Sequence, residues 1–270
     1  MHRCVVKDIA IGPGFPVRLM GVINCSPESF FQGSYVRPGC ILERAEEMVR
    51  QGAEIIDIGA RSTAPSSPPV SEATEADRLS AALRELDGSG IPVSVDTMYP
   101  SVLDRSLSHD IHAANDISGL SNPAYARLVA DAGIPSFLMA SRITQGDATS
   151  FAETLSHLAL VVARCEQAGV SSYVLDPGIG LWNPARSTAL DWEICRSFEQ
   201  CSRFGRPLLA AVSRKTFLGE PGGRPPEARL AASLGITALL IERGADIVRT
   251  HDVRETADVI HMAARVVDRA

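Results

Sequence analysis

The chain has 270 residues, 45% of them hydrophobic and 21% charged, with a formal net charge of −6. This apolar content supplies a sizeable core and excludes a disordered chain, and the length suits one large domain spanning 1–270. The acidic balance argues against nucleic acid or anionic membrane as a general partner, because those surfaces select a broad excess of Lys and Arg.

The first eight residues, Met1-His2-Arg3-Cys4-Val5-Val6-Lys7-Asp8, carry an acid and no long apolar run, so neither a signal peptide nor a membrane span is expected, and the expected address is the cytoplasm. Residues 1–17 alternate weakly around Gly12-Pro13-Gly14, which predicts a short N-terminal hairpin. Eight short apolar stretches then read as buried strands: Leu19 to Asn24, Glu54 to Gly59, Val93 to Thr97, Ala113 to Asp116, Ser136 to Ala140, Tyr173 to Asp176, Leu208 to Arg214 and Asp246 to His251. A stripe of helical period follows each, over Ile41 to Val49 and then 72–87, 101–109, 123–132, 150–168, 189–203, 226–243 and 253–269. Asp252 and Glu255, spaced D-x-x-E, predict a capping box on the last helix. Strict β/α alternation of this kind is the pattern of a (β/α)8 TIM barrel, here with the hairpin plugging its bottom.

In such a barrel the site lies at the C-terminal ends of the strands, and here those ends are polar where apolar residues would suit a core. Asn24, Asp96, Asn115, Asp176, Lys215, Arg249 and His251 would converge on one mouth. The loops after strands seven and eight, where barrels often hold phosphate, read Ser213-Arg214-Lys215 and Arg249-Thr250-His251, which favours an oxyanion substrate. A strand-end carboxylate accepts paired N–H bonds from a planar amidine-like edge such as a pterin or guanine presents, although each aspartate alone has the alternative duty of capping the next helix. The six cysteines show no C-x-x-C pair, so free buried thiols are expected instead of a zinc site.

Read in order, Met20-Gly21-Val22-Ile23-Asn24-Cys25-Ser26-Pro27-Glu28-Ser29-Phe30, Gly52-Ala53-Glu54-Ile55-Ile56-Asp57-Ile58-Gly59, Ser94-Val95-Asp96-Thr97, Asn115-Asp116-Ile117-Ser118-Gly119, Asp176-Pro177-Gly178-Ile179-Gly180, Ser213-Arg214-Lys215 and Arg249-Thr250-His251-Asp252-Val253 resemble the dihydropteroate synthase family, within the wider pterin-binding barrels. The resemblance implies condensation of 6-hydroxymethyl-7,8-dihydropterin diphosphate with an arylamine, p-aminobenzoate in that family, with release of pyrophosphate. It implies that Asp96, Asn115, Asp176 and Lys215 bind the pterin, that Asn24 ligates Mg²⁺ on the diphosphate, and that Arg249 and His251 hold the same group. Asp96, Lys215, Arg249 and His251 are then the candidate catalytic residues, and Arg61, Ser62, Thr63, Pro65, Leu181 and Thr216 the acceptor side. A homodimer through the last helices is also implied, with Ile236, Ala238, Leu239 and Val259 offering apolar area.

The departures from the family lie on the acceptor side. Where the family reads Gly-Glu-Ser-Thr-Arg-Pro-Gly this chain has Ala60-Arg61-Ser62-Thr63-Ala64-Pro65-Ser66; its strand five ends Met139-Ala140-Ser141 in place of Met-His, and Leu181-Trp182-Asn183 follows Gly180. One alternative is a ribofuranosyl aminobenzene phosphate acceptor, as in methanopterin synthesis, with Arg61 or Arg142 meeting its phosphate. A pterin-dependent methyltransferase or a pterin-binding module is the other, although neither needs the basic groups at strands seven and eight.

Overall fold

The computed structural model describes residues 2–27, 35–61, 68–220 and 222–267. Two short strands open the chain, β1 (Cys4–Val6) and β2 (Ile9–Ile11), paired antiparallel with Val6 opposite Ile9. The hairpin therefore turns at Lys7-Asp8, with Lys7 left-handed at φ 55°, and not at Gly12-Pro13-Gly14 as the sequence suggested.

Eight parallel strands follow: β3 (Arg18–Asn24), β4 (Ile55–Gly59), β5 (Val93–Asp96), β6 (Ala113–Asp116), β7 (Ser136–Met139), β8 (Tyr173–Asp176), β9 (Leu209–Ala210) and β10 (Ile247–Thr250). They pair in the order β8-β7-β6-β5-β4-β3-β10-β9, and a parallel bridge between Leu175 and Leu208 brings the two ends of the sheet together. Helices α1 (Ile41–Arg50), α2 (Glu72–Leu86), α3 (Pro100–Ser106), α4 (Pro123–Ala132), α5 (Phe151–Ala168), α6 (Thr188–Arg196), α7 (Leu230–Glu242) and α8 (Val253–Val266) alternate with them, which makes the fold a TIM barrel.

Three boundaries differ from the sequence reading. Strand β9 is only Leu209–Ala210, because Ser213 and Arg214 leave the sheet and Arg214 takes a left-handed φ of 57°. The segments read as single helices over 189–203 and 226–243 each contain a 3₁₀ piece, Phe198–Phe204 after α6 and Pro226–Arg229 before α7. The capping box on α8 does not form: Asp252 caps no backbone N–H with its side chain, because both its carboxylate oxygens accept from Arg214, at 2.9 and 2.7 Å.

The hairpin plugs the barrel as expected. Cys4, Val6 and Ile11 are fully buried against Met20, Ile55, Ala113, Phe137, Val174, Leu209 and Ile247. Those last seven residues are the inward-pointing set at the lower ends of the strands. Side chains on a strand alternate faces, so the residue two positions further along each strand must also point inward, one layer higher. That second layer is where the polar residues stand.

Candidate active site

Stepping two residues along from the plugged layer gives Val22 on β3, Asp57 on β4, Asn115 on β6, Met139 on β7, Asp176 on β8 and Arg249 on β10; β5 contributes Asp96 with the same parity as Ser94. The sheet register sets Asp96 beside Asn115 and Met139 beside Asp176. Parity also separates neighbours. Asn115 turns into the barrel, whereas Asp116 points outward and accepts the N–H groups of Ser118 and Leu120 at 2.7 and 2.8 Å, so it braces the turn after β6.

Arg249 is the hub. Its Nε donates to Asp57 Oδ2 at 2.6 Å and its Nη2 to Asp96 Oδ2 at 2.7 Å, while Asn115 Nδ2 donates to the same Asp57 oxygen at 2.9 Å. Asp57 is wholly buried, with Arg249 and Asp96 each 20% exposed. Burial pushes the Asp96 carboxyl up to about 7, opposed by Arg249 and reinforced by Asp57 and Glu75. Burial likewise raises Asp176, with Lys215 the main opposing influence, and Asp176 accepts the Gly178 N–H at 2.7 Å.

Lys215 is close enough to Asp176 for each to act on the other's charge. Its Nζ donates to the Ile179 carbonyl at 2.7 Å and lies 4.6 Å from the centre of the Trp182 ring. Burial pulls its pKa down to about 8, with Asp176 and Asp191 holding it from falling further. The loop that carries Ile179 approaches so closely that a Cβ on Gly180 would lie 2.9 Å from that ammonium nitrogen.

His251 Nδ1 lies 3.0 Å from Ser213 Oγ, and the same oxygen accepts the His251 backbone N–H at 3.2 Å. Burial, followed by the positive charges of Arg249, Arg214 and Lys215, drives its pKa down to about 3, so the ring is neutral at physiological pH. It is a hydrogen-bonding group here and not a cation. Arg214 faces elsewhere: besides Asp252 it donates to the Pro226 and Glu227 carbonyls at 2.8 and 3.1 Å, which ties the β9 loop to the start of α8 and removes it from the oxyanion-binding set.

Asn24 ends β3, its backbone carbonyl accepting Val36 N–H at 2.9 Å, in register with Gly59. On the acceptor side Ser62, Thr63 and Pro65 lie outside the described residues, Leu181 is half-buried beside Trp182, and Thr216 is exposed at the head of a 3₁₀ turn. Arg61 is engaged: its Nε donates to the buried carboxylate of Glu75 at 2.6 Å and its guanidinium lies 4.6 Å from the Tyr99 ring centre. Glu75 also accepts the Thr97 hydroxyl at 2.6 Å.

The model of the family described as pterin binding enzyme matches residues 20–251. The dihydropteroate synthase of Bacillus subtilis is 34% identical over 256 residues, covering 93% of this chain and 89% of its own, and that of Mycobacterium leprae is 34% identical, covering 91% and 92%. The chain belongs to the dihydropteroate synthase family. Among solved structures, Xanthomonas albilineans dihydropteroate synthase with 4-aminobenzoic acid superimposes with a TM-score of 0.86 at 30% identity over 98% of this chain and 97% of that one. The Coxiella burnetii dihydropteroate synthase in complex with pteroic acid gives 0.85 at 28% identity, with 99% of both chains covered.

Within this dihydropteroate synthase fold the structure gathers Asp96, Asn115, Asp176, Lys215, Arg249 and His251 at the strand ends, as the sequence reading expected. It adds Asp57, which is not among the strand-end candidates and lies two residues before the end of β4. The available signal was a carboxylate inside the otherwise apolar run Ile55-Ile56-Asp57-Ile58-Gly59, at the parity of a core position.

Proposed function

We propose that this protein condenses 6-hydroxymethyl-7,8-dihydropterin diphosphate with p-aminobenzoate and releases pyrophosphate. The observation that carries the reading is Arg249 bridging Asp57 and Asp96 beside Asn115, in a chain of this family. Buried carboxylates and an amide at the strand ends suit the N–H-rich edge of a pterin, and Lys215 supplies a donor to its acceptor atoms.

In the reaction the arylamine nitrogen attacks the pterin methylene carbon. The C–N bond forms as the C–O bond to the diphosphate breaks; the electron pair leaves with pyrophosphate, and the nitrogen gives up one proton. Positive charge building on the methylene is favoured by Asp96 and Asp57. The departing negative charge meets His251, which donates through Nε2 when Ser213 directs its hydroxyl proton at Nδ1. Arg249 gives its Nε–H and one Nη2 N–H to carboxylates, which leaves three N–H donors on Nη1 and Nη2 to reach the same group.

No cluster of three His, Cys, Asp or Glu residues able to hold a metal ion occurs among the described residues. The side-chain amide oxygen of Asn24, at the end of β3, suits Mg²⁺ held by one protein oxygen and completed by substrate phosphates and water. When bound there, the ion would neutralise charge on the leaving diphosphate.

Arg61 is tied to Glu75 and stacked on Tyr99, which favours p-aminobenzoate over a phosphorylated acceptor. We also assign a homodimer through α7 and α8, where Leu239, Met262 and Val266 are 49%, 50% and 76% exposed. No helix among the described residues is long and apolar enough to cross a membrane, and a cytoplasmic location fits the reading. Pyrophosphate release measured across an arylamine panel tests the function. Turnover that requires both pterin diphosphate and p-aminobenzoate is expected; pterin binding without pyrophosphate release would overturn it.

A further inference from the structure

A buried ion pair lies just behind the strand-end cluster. Arg186 and Asp191, with side chains 1% and 0% exposed, meet at 3.2 Å. Arg186 Nη2 also donates to the Gly178 carbonyl at 2.7 Å, and the same Asp191 oxygen accepts the Gly180 N–H at 2.7 Å. The pair thus grips the backbone on both sides of Ile179, whose carbonyl accepts the Lys215 ammonium. Trp182 reinforces the grip by donating its indole N–H to the Gly178 carbonyl at 2.9 Å.

Stability alone gives little reason for such a pair. Two charges withdrawn from water lose hydration that their mutual attraction barely recovers, and apolar replacements of equal volume are often neutral or stabilising. Here, moreover, the Nε of Arg186 and the second carboxylate oxygen of Asp191 are buried without hydrogen-bond partners.

We infer that the Arg186–Asp191 pair is a positioning device for Lys215, fixing the Ile179 carbonyl that aims the ammonium at the pterin and setting the charge around it. The inference rests on the synthase reading above. The charges acting on Lys215 come from several elements: Asp176 at the end of β8, Asp191 on α6, Arg186 in the loop before it, and Arg249 on β10. His251, in turn, lies within reach of the Lys215 charge. Asp176 holds the loop at the Gly178 N–H and Asp191 holds it at the Gly180 N–H, and of the two Asp191 is the one ion-paired with Arg186.

The test uses the full chain, with pterin diphosphate binding by calorimetry and kcat/KM measured against pH. Arg186→Met with Asp191→Leu removes the pair by apolar replacement and is expected to keep the thermal midpoint while weakening pterin diphosphate binding on the order of tenfold to a hundredfold. Asp191→Asn keeps an acceptor for the Gly180 N–H but deletes the charge, and is expected to move the alkaline limb of kcat/KM to lower pH. A folded double variant that binds like wild type, or an Asp191→Asn limb that stays in place, would overturn the inference. If the double variant does not fold, the Asp191→Asn limb decides alone. Failure of the wild-type protein itself to bind pterin diphosphate is a different result, and it sinks the synthase reading.

Discussion

Arg249 Nε donates to Asp57 Oδ2 at 2.6 Å across 192 positions of the chain. The contact reaches over β3 from the second barrel strand to the last one, so it forms only once the last strand has paired with the first. Burial works against the Arg249 charge, yet Asp57 and Asp96 outweigh it and hold the guanidinium more firmly charged than usual. The same contact makes Asp57 a hinge between stability and function.

Asp57→Ala removes a wholly buried carboxylate and leaves Arg249 and the Asn115 amide short of an acceptor. Breaking a buried pair costs about 3–5 kcal/mol, and the partial exposure of Arg249 places this case near 3 kcal/mol. Urea unfolding measures it; a loss below about 1 kcal/mol would show that Asp57 is not paired as described.

The pH dependence of kcat/KM follows from Asp96 at about 7 and Lys215 at about 8. With Asp96 ionised and Lys215 charged in the active form, the profile for pterin diphosphate is expected to be a narrow bell with limbs near those values. The sign for stability is opposite on the two sides. Between the ordinary carboxylate range and about 7 the folded protein keeps a proton that the unfolded chain has lost, so the Asp96 contribution falls as pH rises. Between about 8 and the ordinary lysine range the unfolded chain keeps the extra proton, so the Lys215 site favours folding increasingly as pH rises. A profile flat from pH 6 to pH 9 would contradict both assignments.

Chelation of divalent cations is expected to abolish pyrophosphate release, and Mg²⁺ to restore it. Asn24→Ala is expected to raise the Mg²⁺ concentration for half-maximal rate about tenfold while leaving the thermal midpoint within a few degrees. Full activity in excess chelator would remove the metal from the proposal.

Gly146 lies in the loop after β7 at φ 60°, and a Cβ there would come within 2.2 Å of the Trp182 ring. Asn183 Nδ2 holds the same residue by its carbonyl at 3.0 Å. Gly146→Ala is expected to cost about 1–3 kcal/mol and to displace the indole from Lys215, seen as a shift in tryptophan emission. Trp192, the other indole, packs edge-on against Phe217 at 4.8 Å and serves as the unshifted background. Unchanged emission and stability would show that the two loops are not clamped together.

Much of the site was legible because strand ends are legible. Asp96, Asn115, Asp176, Arg249 and His251 each close an apolar run, and in a barrel every such end opens on one mouth. Asp57 escaped because it sits inside its run, where only parity with Ile55 reveals that it points inward. Arg214 and Asp252 misled for a related reason. Each has a local role that its residue type fits, oxyanion binding and helix capping, but the fold brings them together and they satisfy one another.

The sequence by itself determined the alternation of strand and helix, the polar strand ends and the family, because hydrophobic period and short motifs are local properties of a chain. Tertiary structure alone decided which charges meet: Arg249 with Asp57 and Asp96, Arg61 with Glu75, Arg186 with Asp191. Arg249 is brought to Asp57 and Asp96 across most of the chain by pairing of the barrel strands, whereas Arg61 meets Glu75 and Arg186 meets Asp191 through the packing of loops on nearby helices. A side chain's charge and hydrogen bonds are therefore set by burial and by neighbours that sequence order does not reveal.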